Sequence, residues 1–138
     1  MFEAGPILCS MLAHVCWVVV LYMALTIARA PSVWGVGLKP EGTDLWKRFE
    51  SRVSANLSNQ FEWPVLFYAA GLLGILTGVA ANASFIVAAW IFVGGRILHS
   101  LVQILGNSIR LRGIVFTVNF LAVLAMWFQL VLIVNIRS

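Results

Sequence analysis

The sequence predicts an all-α membrane protein, a bundle of four transmembrane helices, and three observations carry that expectation. The chain is 62% hydrophobic and 10% charged, against roughly 25% charged residues in an ordinary soluble domain. Its mean hydropathy of +0.97 excludes a water-soluble fold. Four apolar runs, Ile7 to Ala28, Phe61 to Ala81, Phe85 to Asn107 and Ile114 to Ile136, each reach the about 20 residues that cross roughly 30 Å of hydrocarbon. They leave no room for a separate soluble module, so residues 1–138 read as a single domain.

The first run is expected to persist in the mature protein, because only Glu3 precedes it, with no basic segment, and because it is too long for the core of a cleavable signal. Cys9 and Cys16 are seven apart on one face of this run, roughly 10 Å along the axis, too far to pair with each other. No Cys-x-x-Cys or Cys/His metal spacing occurs. His14 has no evident partner and is expected as a satisfied imidazole inside the bundle. The long first connection, from Arg29 to Gln60, carries the breakers Pro31, Gly35, Gly37, Pro40 and Gly42.

Within that connection Asp44 is a plausible helix cap, followed by Trp46, Phe49, Val53, Leu57 and Phe61 at near-helical intervals. The second helix therefore starts outside the membrane and runs into the second span. Pro64 predicts a kink close to Glu62, since proline removes an N–H and its ring clashes with the preceding turn. Gly71, Gly74 and Gly78 include a Gly-x-x-x-Gly step that permits close helix approach. The uncharged turn around Asn82 to Ser84 is short enough to make the second and third spans antiparallel neighbours.

Basic residues set the expected orientation. The first and third connections hold Arg29, Lys39, Lys47, Arg48, Arg52, Arg110 and Arg112, against Arg137 on the opposite side. Those connections are expected to be cytoplasmic, with both termini on the non-cytoplasmic side. The formal charge of +4 thus reports topology and membrane-surface contact, and the chain lacks the aromatic-plus-basic pattern of a nucleic-acid module.

Two polar stripes interrupt the apolar runs. Arg48, Arg52, Asn56, Asn59 and Glu62 fall within roughly a third of one helix circumference. Arg96, His99, Ser100, Gln103, Asn107 and Arg110 share a face of the third span. A charge as deep as Arg96 costs at least about 2.5–3.5 kcal/mol unless it faces protein or water. Two readings compete: a Glu62–Arg96 ion pair locking two helices with the amides as hydrogen-bond glue, or a polar cavity whose guanidinium groups grip carboxylates while a carboxylate holds an amine. A small peptide or amino-acid-like ligand suits the second. No Ser/His/Asp arrangement, phosphate loop or metal-binding set accompanies them.

The segment Asn59-Gln60-Phe61-Glu62-Trp63-Pro64-Val65-Leu66-Phe67-Tyr68 resembles the signature of the MAPEG family, the membrane-associated proteins in eicosanoid and glutathione metabolism. Arg96-Ile97-Leu98-His99-Ser100, Asn107 and the Arg110 to Phe116 region resemble its third helix and the turn into the fourth. The resemblance covers essentially the whole chain and is greatest to bacterial members of poorly defined activity. It implies a homotrimer in a bacterial inner membrane, with glutathione held between subunits near the cytoplasmic side.

On that likeness Asn59 and Glu62 carry the glutathione-contacting spacing of the second helix. The expected upstream arginine position is Ala55, with Arg52 one turn earlier as its substitute. Arg96 and His99 match the third-helix pattern, and Asn56 and Gln103 complete the implied ligand-binding set. Arg110 or Arg112 takes the catalytic role of stabilising a thiolate. Where relatives place tyrosines, this chain has Gln103 or Gly106 and Phe116. The implied function is a glutathione transferase or peroxidase acting on a small lipophilic electrophile from the bilayer; the alternative is a non-catalytic scaffold or assembly subunit that keeps the fold.

Overall fold

The computed structural model describes residues 4–35, 44–106 and 108–137. The expected breakers Gly37, Pro40 and Gly42, together with Lys39 and the stripe residue Asn107, lie outside the described residues. The regular structure of the described residues is all helical, with α1 at Gly5–Val33, α2 at Asp44–Asn59, α3 at Pro64–Thr77, a 3-10 turn at Val79–Ala81, α4 at Ala83–Leu105 and α5 at Ile109–Arg137. Three of these, α1, α4 and α5, are long and apolar enough to cross a membrane. This is an integral membrane protein.

The second apolar run differs from the uninterrupted span expected for it. At the residues flanking Pro64 the chain leaves the helix at Asn59 and re-enters at Pro64. The intervening turn is tightened by bonds from the Gln60 N–H to the Leu57 carbonyl and from the Phe61 N–H to the Ser58 carbonyl, both 3.0 Å. The expected kink is thus a full break. The remaining α3 is 14 residues long, about 21 Å at 1.5 Å per residue, short of the hydrocarbon thickness by itself.

The helix ends follow local chemistry. Pro31 does not end α1; it lies inside the helix, where it removes one backbone bond. The helix stops instead at Trp34 and Gly35, whose φ of 65° suits a residue without Cβ. Gly78, with φ 74°, ends α3 in the same way. Helix α5 starts earlier than the apolar run, so Arg110 and Arg112 belong to its first turn. The Ser108 hydroxyl accepts the Leu111 N–H at 3.3 Å and caps that turn.

Along α1 the buried residues Ile7, Ser10, His14, Leu21, Leu25 and Ala28 form one face. Its two ends pack into different apolar clusters. Ile7 joins Phe67, Phe85, Phe92 and Met126, while Leu21 and Leu25 join Val53 and Leu57. Between them α1 contributes His14 and Trp17 to a polar layer. Cys9 and Cys16 are exposed, free thiols on the outer side of α1.

Two close approaches between helices need glycine. A Cβ on Gly74 would stand 2.6 Å from the Phe85 ring, and one on Gly95 would collide with the side-chain oxygen of Asn119 on α5. Gly94, one residue away, faces open space. Gly95→Ala is therefore expected to destabilise the protein by about 1–3 kcal/mol through overpacking, while Gly94→Ala leaves stability nearly unchanged. Thermal unfolding of both variants in detergent checks this, and equal losses would contradict the packing.

Candidate functional site

The break between α2 and α3 leaves backbone groups without helical partners, and inside a membrane these must be satisfied by protein. Arg96 of α4 supplies one partner: its Nη2 donates to the Asn59 carbonyl at 2.7 Å. Its Nε donates to Gln60 Oε1 at 3.1 Å. Arg96 is only 1% exposed, so this pairing within the chain accounts for its burial. Of the two competing readings, the Glu62–Arg96 ion pair does not form among the described residues. Glu62 is exposed, and among the described residues the ion pair present is Arg29–Glu50 at 2.8 Å. The turn at residues 60–63 interrupts the 100° increment that placed Glu62 on the stripe.

Gln60 is the hub of the buried layer. Its Oε1 accepts from Arg96 and from His14 Nε2, the latter at 3.2 Å. Its Nε2 donates to Asn56 Oδ1 at 3.1 Å and to Ser100 Oγ at 3.2 Å. Two acceptances and two donations saturate the amide. Because Oε1 can only accept, the proton of His14 is on Nε2, and Nδ1 accepts the Tyr68 hydroxyl at 2.7 Å. Ser100 Oγ also accepts Trp17 Nε1 at 3.1 Å and donates to the Arg96 carbonyl at 2.9 Å. Four helices are tied together through one layer.

Nearer the basic end lies an amide layer. Gln103 Oε1 accepts from Asn56 Nδ2 at 3.0 Å and from Asn59 Nδ2 at 3.4 Å. Beyond it, Arg52 Nη1 donates to the carbonyls of Ile104 at 3.2 Å and Gly106 at 3.4 Å, holding the last turn of α4 against α2. A cavity of about 270 Å3 opens here, lined by Arg52, Gln103, Ser108 and Arg112 among others.

The sequence-derived set is thereby distributed in depth. Arg52, Gln103 and Arg112 face the cavity, and Asn56 and Asn59 support it through Gln103. Arg96 and His99 are buried below it. His99 Nδ1 has no hydrogen-bond partner among the described residues, and its ring lies 6.3 Å from Phe116. Glu62 and Arg110 are exposed. Asn119, also buried, has both side-chain polar atoms unpartnered among the described residues. Among those residues no group of three or more His, Cys, Asp or Glu side chains comes together.

Sequence reasoning missed Gln60, Trp17 and Tyr68. Gln60 had a signal, since it follows Asn56 by one helical turn. Trp17 and Tyr68 had none, because an indole or phenol within an apolar run looks the same whether or not it reaches a partner.

The layer predicts a graded response to substitution. Ser100→Ala leaves the Trp17 indole and one Gln60 N–H unpartnered, at an expected cost of about 1–3 kcal/mol. Tyr68→Phe removes a single bond at the edge and costs about 1 kcal/mol. Thermal denaturation of the two variants should rank them in that order, and the reverse ranking would contradict the assigned network.

Residues 7–132 of the chain match the model of the MAPEG family. No curated protein and no solved structure matches it.

Proposed function

Because the chain belongs to the MAPEG family, whose members are membrane proteins of eicosanoid and glutathione metabolism, we propose that it binds glutathione and uses it against lipophilic electrophiles dissolved in the bilayer. The observation that carries this reading is the cavity shared by the Arg52 and Arg112 guanidinium groups and the Gln103 amide. Guanidinium groups match the two carboxylates of the tripeptide in geometry and charge. The amide layer of Asn56 and Asn59 fixes Gln103 so that it offers its remaining donors without reorganising.

In this reading Arg112, or Arg110 two residues before it, lowers the thiol pKa of bound glutathione, as a neighbouring guanidinium does for cysteine. The thiolate then attacks an electrophilic carbon, the new C–S bond forms, and the leaving group departs with its electron pair. As a peroxidase, two glutathione molecules instead supply two electrons to a hydroperoxide, yielding an alcohol, water and the glutathione disulfide. No protein nucleophile is needed. Arg96 and His99 form the floor beneath the ligand, with Arg96 held in place by Gln60.

Glu62, exposed on the single chain, is well placed to hold the glutathione amine when a neighbouring subunit closes over it. We therefore read the assembly as a homotrimer of one-domain, four-span bundles, with the broken α2–α3 element as the second span. The basic end faces the cytoplasm of a bacterial inner membrane and both termini face away from it, as the excess of basic residues supports.

One observation favours a second reading, a non-catalytic scaffold or assembly subunit. Arg96 is engaged entirely within its own chain, as a structural residue would be. Glutathione binding to the detergent-solubilised protein separates the two. Arg52→Gln is expected to weaken glutathione at least about tenfold by removing a charge-assisted bond. Arg112→Gln is expected to erase the preference for glutathione over its desthiol analogue. Absence of binding by the unmodified protein would favour the scaffold.

A further inference from the structure

Beneath the cavity, the seam between α4 and α5 holds polar atoms that the hydrogen-bonded layers leave aside. The two helices are antiparallel neighbours, and their residues meet in successive levels one turn, about 5.4 Å, apart. Gln103 and Arg112 line the cavity. One turn further in, the His99 ring lies 6.3 Å from the Phe116 ring. One turn beyond that, Asn119 packs so closely on Gly95 that a Cβ there would collide with its Oδ1. Arg112, Phe116 and Asn119 thus fall on one face of α5, as Gly95, His99 and Gln103 do on α4.

Asn119 is 3% exposed and His99 4%. Among the described residues, Asn119 Oδ1, Asn119 Nδ2 and His99 Nδ1 are buried with no hydrogen-bond partner. The other buried imidazole differs sharply: His14 has Tyr68 on Nδ1 and Gln60 on Nε2. An orphaned amide inside a membrane has no solvent to relieve it, so its partner must be held within the protein. The three atoms define that partner. The amide oxygen only accepts, the amide nitrogen only donates, and the imidazole nitrogen does either according to tautomer. A molecule that both donates and accepts completes them, whereas a metal cation cannot donate and a halide cannot accept. Two hydrogen bonds through one oxygen atom reach about 5.5 Å, the spacing of one turn. A buried water typically takes about two to four polar partners, and the seam supplies three such atoms.

We propose that the α4–α5 seam is a binding site for one buried water molecule, held between His99 and Asn119 at the level immediately beneath the ligand cavity. Asn119 is then a positioning residue: through the water it fixes the His99 imidazole, which has the cavity one turn above it. Gly95 completes the site by letting the amide lie directly against α4. The site rests on the orphaned atoms and the helix register, and it stands whether or not the cavity takes glutathione.

Radiolytic hydroxyl labelling read by mass spectrometry tests this, because a side chain beside a bound water is oxidised even where bulk solvent does not reach it. The measurement is made on the protein in mild detergent without glutathione, so it is independent of the proposed activity. His14, 1% exposed and partnered on both ring nitrogens, is the internal reference. His99 is expected to be oxidised at least about threefold faster than His14, and Asn119→Leu, which keeps the size of the side chain, to remove that excess. Thermal unfolding gives an independent reading. Replacing a truly unpartnered amide by an apolar side chain of similar shape leaves stability unchanged or raises it, whereas removing one that holds a water lowers it. Asn119→Leu is therefore expected to lower Tm by roughly 3–6 °C. Equal oxidation of His99 and His14, oxidation of His99 unaffected by Asn119→Leu, or an unchanged or raised Tm in that variant would each overturn the proposal. The comparison of the two histidines needs no variant, and it decides the matter even if Asn119→Leu does not fold.

Discussion

A helix broken inside a membrane exposes backbone groups where water cannot reach them, and in this protein one arginine answers that need. Arg96 bonds the Asn59 carbonyl at the end of α2 and the Gln60 side chain just after it. The arrangement solves two problems at once. The orphaned carbonyl acquires a charged donor, and the buried guanidinium acquires acceptors, so neither is left to desolvate alone. Gln60 then extends the contact to α1 through His14 and back to α4 through Ser100. The relative placement of α1, α2 and α4 depends on this one layer.

The layer also separates two environments. On one side lies an aromatic and aliphatic cluster that includes Phe67, Phe92 and Met126. On the other lie the amides of Asn56, Asn59 and Gln103 and the open cavity beyond them. A rigid floor of saturated hydrogen bonds lets the exposed groups of the cavity keep fixed positions, which is the condition for recognising a small charged ligand. In the glutathione reading, Arg96 contributes by holding that floor, while Arg52 and Arg112 meet the ligand.

Much of this was legible in the sequence. The apolar runs located α1, α3, α4 and α5, the Asp44 cap and the stripe behind it located α2, and Pro64 marked the place where the second span breaks. The polar stripes named the amide layer of Asn56, Asn59 and Gln103 and, of the other residues lining the cavity, Arg52. What periodicity could not supply was depth. Arg96 and Gln103 lie on one face of α4, but Arg96 is sealed against Asn59 and Gln60 while Gln103 lines a cavity. Glu62 was placed on the stripe of Asn56 and Asn59 by extending helical register, and the break at residues 60–63 removes that register. Pro31 was a misleading breaker: α1 runs through it to Val33, and Gly35 marks the stop.

The central claim is that Arg96 and Gln60 act as one unit at the helix break, and a double-mutant cycle measures that most directly. Thermal or denaturant stability would be determined in detergent for the unmodified protein, Gln60→Leu, Arg96→Leu and the double variant. Each single substitution strands a buried partner, so the losses should be non-additive by about 1–3 kcal/mol, with the double variant more stable than the sum predicts. Losses that simply add would show that the two side chains stabilise the bundle independently, and would contradict the account.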